Sequence, residues 1–563
     1  MSNEVILLSD IPNQSQETYA GRYMGPYVLK SQLIDKGHNT IVLDWFRFIQ
    51  DNEKFFEYFE NFVDENTKIV GISNTFLYPP REVNKKQNDS TGLSAFAAEN
   101  YDTKGEEINE DSVAAYSLYL WDDNNATLTD WFKRMRAVLD KYNPDAKIVL
   151  GGARSTRFIQ MASFAPEDYC VKLYVDYIIV GMADFAIQKL IDKIDNKEKV
   201  TDIWEHHGLK FILCDKEPWV TPTYYVPKSN YTKADCFESS HWAGMEVGRG
   251  CAFNCKYCYY EKRFQEKRPM DEMKEELKRN YYELGIKGYN ITADCFNDNR
   301  RFVGDWAEMV GSLDFKIEWA SYVRVDPFHK WPEMIDEMVS SGYRAGWYGI
   351  ETLSHKAGKL AGKGLNPERV KELLALIKSK GENWITAYFI LGLPGETKES
   401  MQETLDWFHT QRIIDEIQPS ILDVGPFIEE LSGIIDFSDH SKNPEKYGFT
   451  KLEYSPEFYW EHETLNLKDC VVIHEQWKKE LENHPYTRFG GSAHGEYVRI
   501  RDTGLSHKEA VVYMKTKFRG GKNLVNIDNA KKKKFKQYVQ NLSKQNIQRY
   551  YDRFLEVNRV RHA

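Results

Sequence analysis

The chain has no apolar run near the roughly 20 residues that cross a bilayer. Its start, MSNEVILLSD, has neither a basic n-region nor a small-residue cleavage site. From these absences neither a membrane span nor a secretory leader is expected, and the prediction is a protein that stays in the cytoplasm. Cysteine is scarce: eight in 563 residues do not form the dense, even framework of a disulfide-stapled secreted domain. Excess positive charge is also missing. With 75 Lys and Arg against 85 Asp and Glu, the formal charge is −10, which excludes a surface that generally coats nucleic acid. What is present is ordinary for a soluble globular protein, 42% hydrophobic and 28% charged. The length suits about two to four domains.

The scarce cysteines are unevenly placed. Three of the eight, Cys251, Cys255 and Cys258, fall in EVGRGCAFNCKYCYYEKR in a C-x3-C-x2-C spacing, with Tyr257 before the last. Thiolates this close can wrap one loop around a metal centre, and soft sulfur selects zinc or iron–sulfur clusters. A closed zinc site wants a fourth Cys or His nearby, but the next cysteine is Cys295 and no histidine lies between. Three ligands on a four-iron cube leave one iron open to a small molecule.

Repeating strand and helix signals surround this loop. Residues 1 to about 205 carry short β-rich runs at Val5–Leu8, Thr40–Leu43, Lys68–Ile72, Lys147–Leu150 and Tyr177–Val180, with amphipathic stretches between most of them. This alternation predicts a parallel, doubly wound (Rossmann-like) sheet, with Ser9, Ser73 and Gly151 at the strand ends where a ligand would bind. A polar insertion, about 79–127, interrupts the domain, and a Tyr-, Pro-, Lys- and Asp-rich linker is expected over 206–240. From 241 to about 430 the strand–helix period repeats six times, as in a partial (β/α)6 barrel whose chemistry sits at the carboxyl ends of its strands. Residues 431–563 read as mainly helical. The last 53 residues hold 14 Lys and Arg against 3 Asp and Glu, a basic tail able to meet phosphate or nucleic acid, although such runs are commonly solvated helix faces.

At Cys251, Cys255 and Cys258 the chain resembles the radical S-adenosylmethionine (SAM) enzymes. The resemblance implies a [4Fe–4S] cluster on these cysteines, SAM chelated at the open iron, and radical chemistry begun by reductive cleavage of SAM. Further elements follow in order: TADCFNDNRRF at 292–302, SYVRVDP at 321–327, YGIETLS at 348–354 and FILGLPGET at 389–397. They imply that Asp294, Arg324 and Glu351 help place SAM, Arg324 by holding its carboxylate. They also imply that Gly392, Pro394 and Gly395 shape its adenosine pocket, where glycine lets a nucleoside approach the backbone. Asp294 and Glu351 are the catalytic candidates, and Tyr257 is expected beside the cofactors. Cys295, in place of an acidic residue of its turn, reads as a packed thiol.

The N-terminal sequence resembles the cobalamin-binding domain that precedes many radical SAM cores. The match lies in GISNT at 71–75, IVLGGARST at 148–156 and VDYIIVGMAD at 175–184. It implies that Ser73, Thr75, Gly151 and Gly152 contact cobalamin. There is no Asp-x-His-x-x-Gly, and Gly181-Met182-Ala183-Asp184 stands where Gly-Glu-Gly-Glu is usual. The implied activity is cobalamin-dependent methylation of an unactivated centre, with a small-molecule or nucleotide substrate and an electron donor such as flavodoxin or ferredoxin. Two alternatives stay open: a cobalamin-free radical SAM enzyme acting on a nucleotide or nucleic acid, and a non-catalytic metal-binding protein.

Overall fold

The fold was analysed in a computed structural model, which describes residues 2–9, 22, 24–44, 52–73, 125–152, 155, 158–159, 162, 167–220, 226–258, 266–381, 383–425, 427, 429, 437–453, 459–481, 484, 486–489, 497–498, 500–518 and 529–560. Thr75, the bulk of the 79–127 insertion and residues 519–528 and 561–563 of the basic tail lie outside the described residues.

The β-branched runs of the N-terminal third form β1 (Val5–Leu8), β2 (Thr40–Leu43), β3 (Ile69–Ser73), β4 (Lys147–Gly151) and β5 (Tyr177–Val180). All but their end residues are buried, as strands covered on both faces must be. Two more strands, β6 (Trp204–His206) and β7 (Leu209–Leu213), complete a sheet of order β2-β1-β3-β4-β5-β7-β6, in which only the β6–β7 pair is antiparallel. These two strands correct the expected linker. The run LKFIL buries four of its five residues, and its short length among turn-forming residues conceals it in the sequence.

Seven parallel strands form the second sheet, in the order β18-β15-β14-β13-β12-β11-β8. They are β8 (Trp242–Glu246), β11 (Gly288–Thr292), β12 (Glu318–Val323), β13 (Tyr343–Glu351), β14 (Trp384–Leu391), β15 (Glu416–Ile421) and β18 (Arg488–Phe489). Each of the five connections between the first six strands carries a crossing helix, Met270–Leu284, Arg300–Gly311, Glu333–Ser340, Pro367–Gly381 and Lys398–Thr410, and the third and fourth also carry the short helices Asp326–Lys330 and His355–Ala361. Six strands match the six strand–helix repeats of the sequence pattern. The seventh comes from the C-terminal region, where the two-residue β18 extends the open edge beside β15. Between β8 and β11 a two-residue antiparallel ladder, β9 (Gly248–Arg249) with β10 (Glu266–Lys267), closes the base of the cysteine loop. Gly248 is required there, because a Cβ would lie 2.6 Å from the Lys267 side chain and 2.9 Å from the Glu266 carbonyl oxygen. A hairpin, β16 (Phe449–Glu453) with β17 (Tyr459–His462), packs beside the barrel.

The two sheets share a core. One face of the N-terminal sheet, with Tyr27, Leu33, Ile187 and Leu190 from its helices, continues into Met245, Val247 and the barrel interior. The approach is close enough that a Cβ at Gly244 would lie 2.5 Å from Met24 Cβ. The other face of the N-terminal sheet is covered in part by the C-terminal helix Asn529–Asn558, through Tyr550, Tyr551 and Phe554. No helix among the described residues is long and apolar enough to cross a membrane.

Candidate active site at the barrel mouth

The cysteine loop leaves β8 at its carboxyl end and is pinned by backbone hydrogen bonds to neighbouring strand ends. Asp294, two residues past β11, accepts from Gly250 N–H at 2.7 Å, and Asp298 accepts from Ala252 N–H at 3.3 Å. Asp298 also pairs with Lys267 at 2.9 Å, tying the far side of the loop to the same turn. Further along, Lys256 N–H donates to the Ala361 carbonyl and the Lys256 carbonyl accepts from His440 N–H, both at 3.1 Å. Cys258 N–H donates to the Cys255 carbonyl at 3.3 Å, so the last two thiols share one tight turn.

Each sulfur position has its own surroundings. Cys255 is buried, and Arg324 Nη1 donates to its Sγ at 2.9 Å. Asp326 anchors this guanidinium at 2.9 Å, and the ring of Phe253 lies 3.9 Å beneath it. Asn297 fixes the Arg324 backbone from both sides, accepting from its N–H at 2.9 Å and donating to its carbonyl at 2.8 Å. Cys251 is hydrogen-bonded to the buried thiol of Cys295, which brings its own thiol down to about 7. Arg324, expected to hold a carboxylate of SAM, thus points first at a cysteine of the trio.

Glu351, at the end of β13, has φ +67, in the left-handed region where a glutamate is strained. Lys363 pairs with its carboxylate at 3.3 Å and also donates to the Gly349 carbonyl at 2.8 Å, while the Tyr257 phenol bonds the same carboxylate. A Cβ at Gly349 would sit 2.6 Å from Glu351 Oε1, so a larger residue there would displace that carboxylate. Tyr257 therefore joins the cysteine loop to the fourth barrel strand end.

The turn after β14 is closely packed. Gly392 and Gly395 have φ +91 and +90, but protein fills the room left by their missing Cβ atoms. A Cβ at Gly392 would meet Trp460 at 2.4 Å and Cys470 Sγ at 2.8 Å, and one at Gly395 would meet Leu360 at 2.9 Å. Packing and backbone conformation both call for glycine at these positions, and Pro394 is buried in the same turn. The group that organises the turn was not singled out in the sequence. Glu396 accepts from the Gly392 and Leu393 N–H groups at 3.1 and 3.3 Å and from the Thr352 hydroxyl at 2.6 Å. Burial pushes its carboxyl up to about 7. Thr397 caps the next helix.

Asp184 was noticed only as a departure from a motif, yet it reaches the barrel. Arg249, two residues before Cys251, pairs with Asp184 at 2.9 Å and with Glu246 at 2.8 Å. All three side chains are nearly buried. Spacing gives no signal for a triad built from residues 65 positions apart. On the N-terminal sheet, Ser73 and Gly151 lie in register at adjacent carboxyl ends. Nothing lies within 4 Å of a Cβ built on Gly151, and Gly152 has φ +117. Among the described residues the backbone is thus open at Gly151. His462 bonds the Gly392 carbonyl at 3.0 Å and His484 is buried near Thr487, so both serve packing. His494 lies outside the described residues.

Comparison with known proteins places these elements. Residues 245–408 match the radical SAM superfamily. An uncharacterised methyltransferase of Pyrococcus horikoshii is 23% identical over 277 residues, 47% of this chain and 58% of its own. The anaerobic magnesium-protoporphyrin IX monomethyl ester cyclase of Cereibacter sphaeroides is 25% identical over 371 residues, 62% of this chain and 58% of its own. The chain thus spans little more than half the length of these relatives. Among solved structures, the radical SAM methyltransferase TsrM of Kitasatospora setae, with cobalamin and a [4Fe–4S] cluster bound, superposes with TM-score 0.54 at 14% identity, covering 98% of this chain and 100% of that one. The cobalamin-dependent radical SAM enzyme OxsB, with aqua-cobalamin and SAM bound, gives 0.51 at 12% identity, over 98% and 80% of the two chains. Residues 245–408 thus match a radical SAM domain, and the chain has the fold of the cobalamin-binding radical SAM enzymes TsrM and OxsB.

Proposed function

We propose that this chain is a radical SAM enzyme that holds a [4Fe–4S] cluster, SAM and cobalamin and methylates an unactivated centre of a small-molecule substrate. The observation that carries this reading is the loop of Cys251, Cys255 and Cys258, set at the barrel mouth among Asp294, Arg324 and Glu351 from three successive strand ends. The residues present fit the groups. Three thiols from one loop suit a cluster with an open iron, and Arg324 already donates to one of the sulfurs. Gly151, in register with Ser73 at the carboxyl edge of the sheet, has no described residue within 4 Å of where its Cβ would be, which leaves room for a bulky cofactor.

When bound, these groups supply one-electron cleavage of SAM and a transferable methyl. The side chains position and shield. Tyr257 and Lys363 hold Glu351 in its strained conformation, which keeps a carboxylate at the mouth for an ammonium or substrate donor. Asp294 holds the cluster loop closed through Gly250. Arg249, clamped between Glu246 and Asp184, keeps the N-terminal domain in fixed relation to that loop, as two cofactors acting on one substrate require. A low-potential protein such as flavodoxin or ferredoxin is the electron donor of this reading.

The test uses protein purified anaerobically from cobalamin-fed cells and reconstituted with iron and sulfide. About four irons per chain, a corrin spectrum and 5′-deoxyadenosine formation with SAM and dithionite are expected. A cluster and SAM cleavage without corrin would retire the cobalamin assignment. Zinc in place of iron, with no SAM cleavage, would overturn the enzyme reading.

A further inference from the structure

From Thr352 to Pro367 the chain has no Asp or Glu but carries Lys356, Lys359 and Lys363, in a protein whose formal charge is −10. The helix His355–Ala361 lies within this run, started by a cap from the Ser354 hydroxyl and ended at Gly362, φ +80. Ala357, Gly358 and Ala361 seat it on the barrel, and His355, Lys356, Lys359 and Leu360 are left exposed. Lys363 is turned inward onto Glu351. Lys356 and Lys359, by contrast, have no carboxylate partner among the described residues. This helix touches the cysteine loop. The Ala361 carbonyl accepts from Lys256 N–H at 3.1 Å, and a Cβ on Gly362 would lie 3.1 Å from the Asn254 carbonyl oxygen and 3.5 Å from Cys255 Cα. On the loop's other flank, His440 N–H donates to the Lys256 carbonyl, and Lys442 is exposed and likewise unpaired. Asp439 there is occupied by Lys256, Lys446 and the Tyr447 hydroxyl, and Glu445 offsets part of that flank's charge, so the cationic excess rests on the helix.

We infer that the exposed face of the helix His355–Ala361 is the docking surface for an acidic protein that delivers single electrons to the cluster. The inference rests on the proposed [4Fe–4S] centre. One electron leaves the reduced donor and enters the oxidised cluster, and no bond or proton moves. Encounters of this kind bury little surface, so charge does much of the recruiting, and complementary patches raise association rates about 10- to 1,000-fold. A lysine already held by a carboxylate must break that pair to meet a partner, whereas Lys356 and Lys359 need not. Positions 356, 359 and 360 share one helix face. Leu360, 36% exposed and packed over Gly395, sets an apolar contact beside the two ammonium groups. Directly behind this face lies the backbone that carries Cys255, which gives the electron a short route from a docked donor.

The measurement is the second-order rate constant for reduction of the anaerobically reconstituted protein by reduced flavodoxin and, separately, by reduced ferredoxin, followed by stopped flow at low and high salt. The parent is compared with Lys356→Glu/Lys359→Glu and with Lys133→Glu/Lys210→Glu, which makes the same charge change at exposed lysines of the N-terminal domain. Iron content, and the rate with a neutral reductant (photoreduced 5-deazaflavin), should be equal in all three. With the protein donors, Lys356→Glu/Lys359→Glu should react about tenfold or more slowly than the parent at low salt, and the difference should shrink at high salt. The control pair should stay within about twofold of the parent. Carbodiimide coupling, which needs no turnover, should join donor carboxylates to Lys356 or Lys359 of the parent. Equal rates in the parent and Lys356→Glu/Lys359→Glu, or equal slowing in both double variants, would overturn the inference, as would cross-links confined to other lysines. So would failure of both donors to reduce a loaded parent. If Lys356→Glu/Lys359→Glu instead splits a dimer of the parent in sedimentation, the face belongs to a second copy and the inference falls. Failure of the parent to take up a cluster would overturn the underlying function.

Discussion

At the residue scale, buried charge decides what each position tolerates. Removing the Cys255 side chain should abolish cluster assembly, read as iron per chain after anaerobic reconstitution. The arginine left facing an empty position would also lose its sulfur acceptor. Glu396 yields a pH prediction. Its carboxyl titrates near 7 when folded, against 4.5 as the ordinary value, because burial disfavours the charge. A folded value above the unfolded one means that stability is greatest below pH 4.5 and is lost as pH rises through 7; about 3 kcal/mol is at stake. Glu396→Gln keeps an oxygen for the Gly392 and Leu393 N–H groups and can donate to Thr352. Its melting temperature should therefore exceed that of the parent at pH 8 and match it at pH 5. An equal pH dependence in both proteins would refute the assignment.

At the element scale, strand ends are coupled by side chains that sequence spacing does not reveal. Arg249 links the helix Ala183–Asp195 to the cluster loop through Asp184, while Glu246 satisfies its other edge. Arg249→Met would leave two nearly buried carboxylates without their cation, a loss of about 3–5 kcal/mol for a buried pair. Asp184→Asn should cost less, since Glu246 still neutralises the arginine. Denaturation of both variants should rank them in that order. The ladder below the loop is tested by Gly248→Ala, whose methyl cannot fit against Lys267 and Glu266. The expected result is faster release of iron to a chelator, with the barrel melting transition little changed.

At the scale of the whole molecule, the C-terminal helix binds the first residues of the chain to the last. Phe554 meets Phe62 edge-on with ring centroids 5.5 Å apart, Tyr551 packs on Tyr58, and Asn3 donates to the Asn558 carbonyl at 3.3 Å. Arg22 lies over both Phe237 and Tyr550, at 3.9 and 4.8 Å. The later part of the basic tail is thus, through Tyr550, Tyr551 and Phe554, a packing element of the N-terminal domain. Phe554→Ala should cost about 3–5 kcal/mol, measured as a shift of the denaturation midpoint. Only a small effect would mean that this helix does not stay docked in solution.

The sequence by itself determined the features carried by local pattern. Short β-rich runs marked five strands of the first sheet and six of the second, because side-chain alternation and burial act over a few residues. The thiol trio was legible because its metal-binding logic lies within eight consecutive residues. Only the tertiary structure decided what depends on distant partners. It drew residues 209–213 into the first sheet, set Cys295 beside Cys251, gave Arg324 a sulfur to bind, and filled the space beside Gly392 with Trp460. Each of these joins positions separated by tens of residues. Their pairing is set by how strands stack and where burial leaves a polar group one available partner, and neither is written in the spacing of the chain.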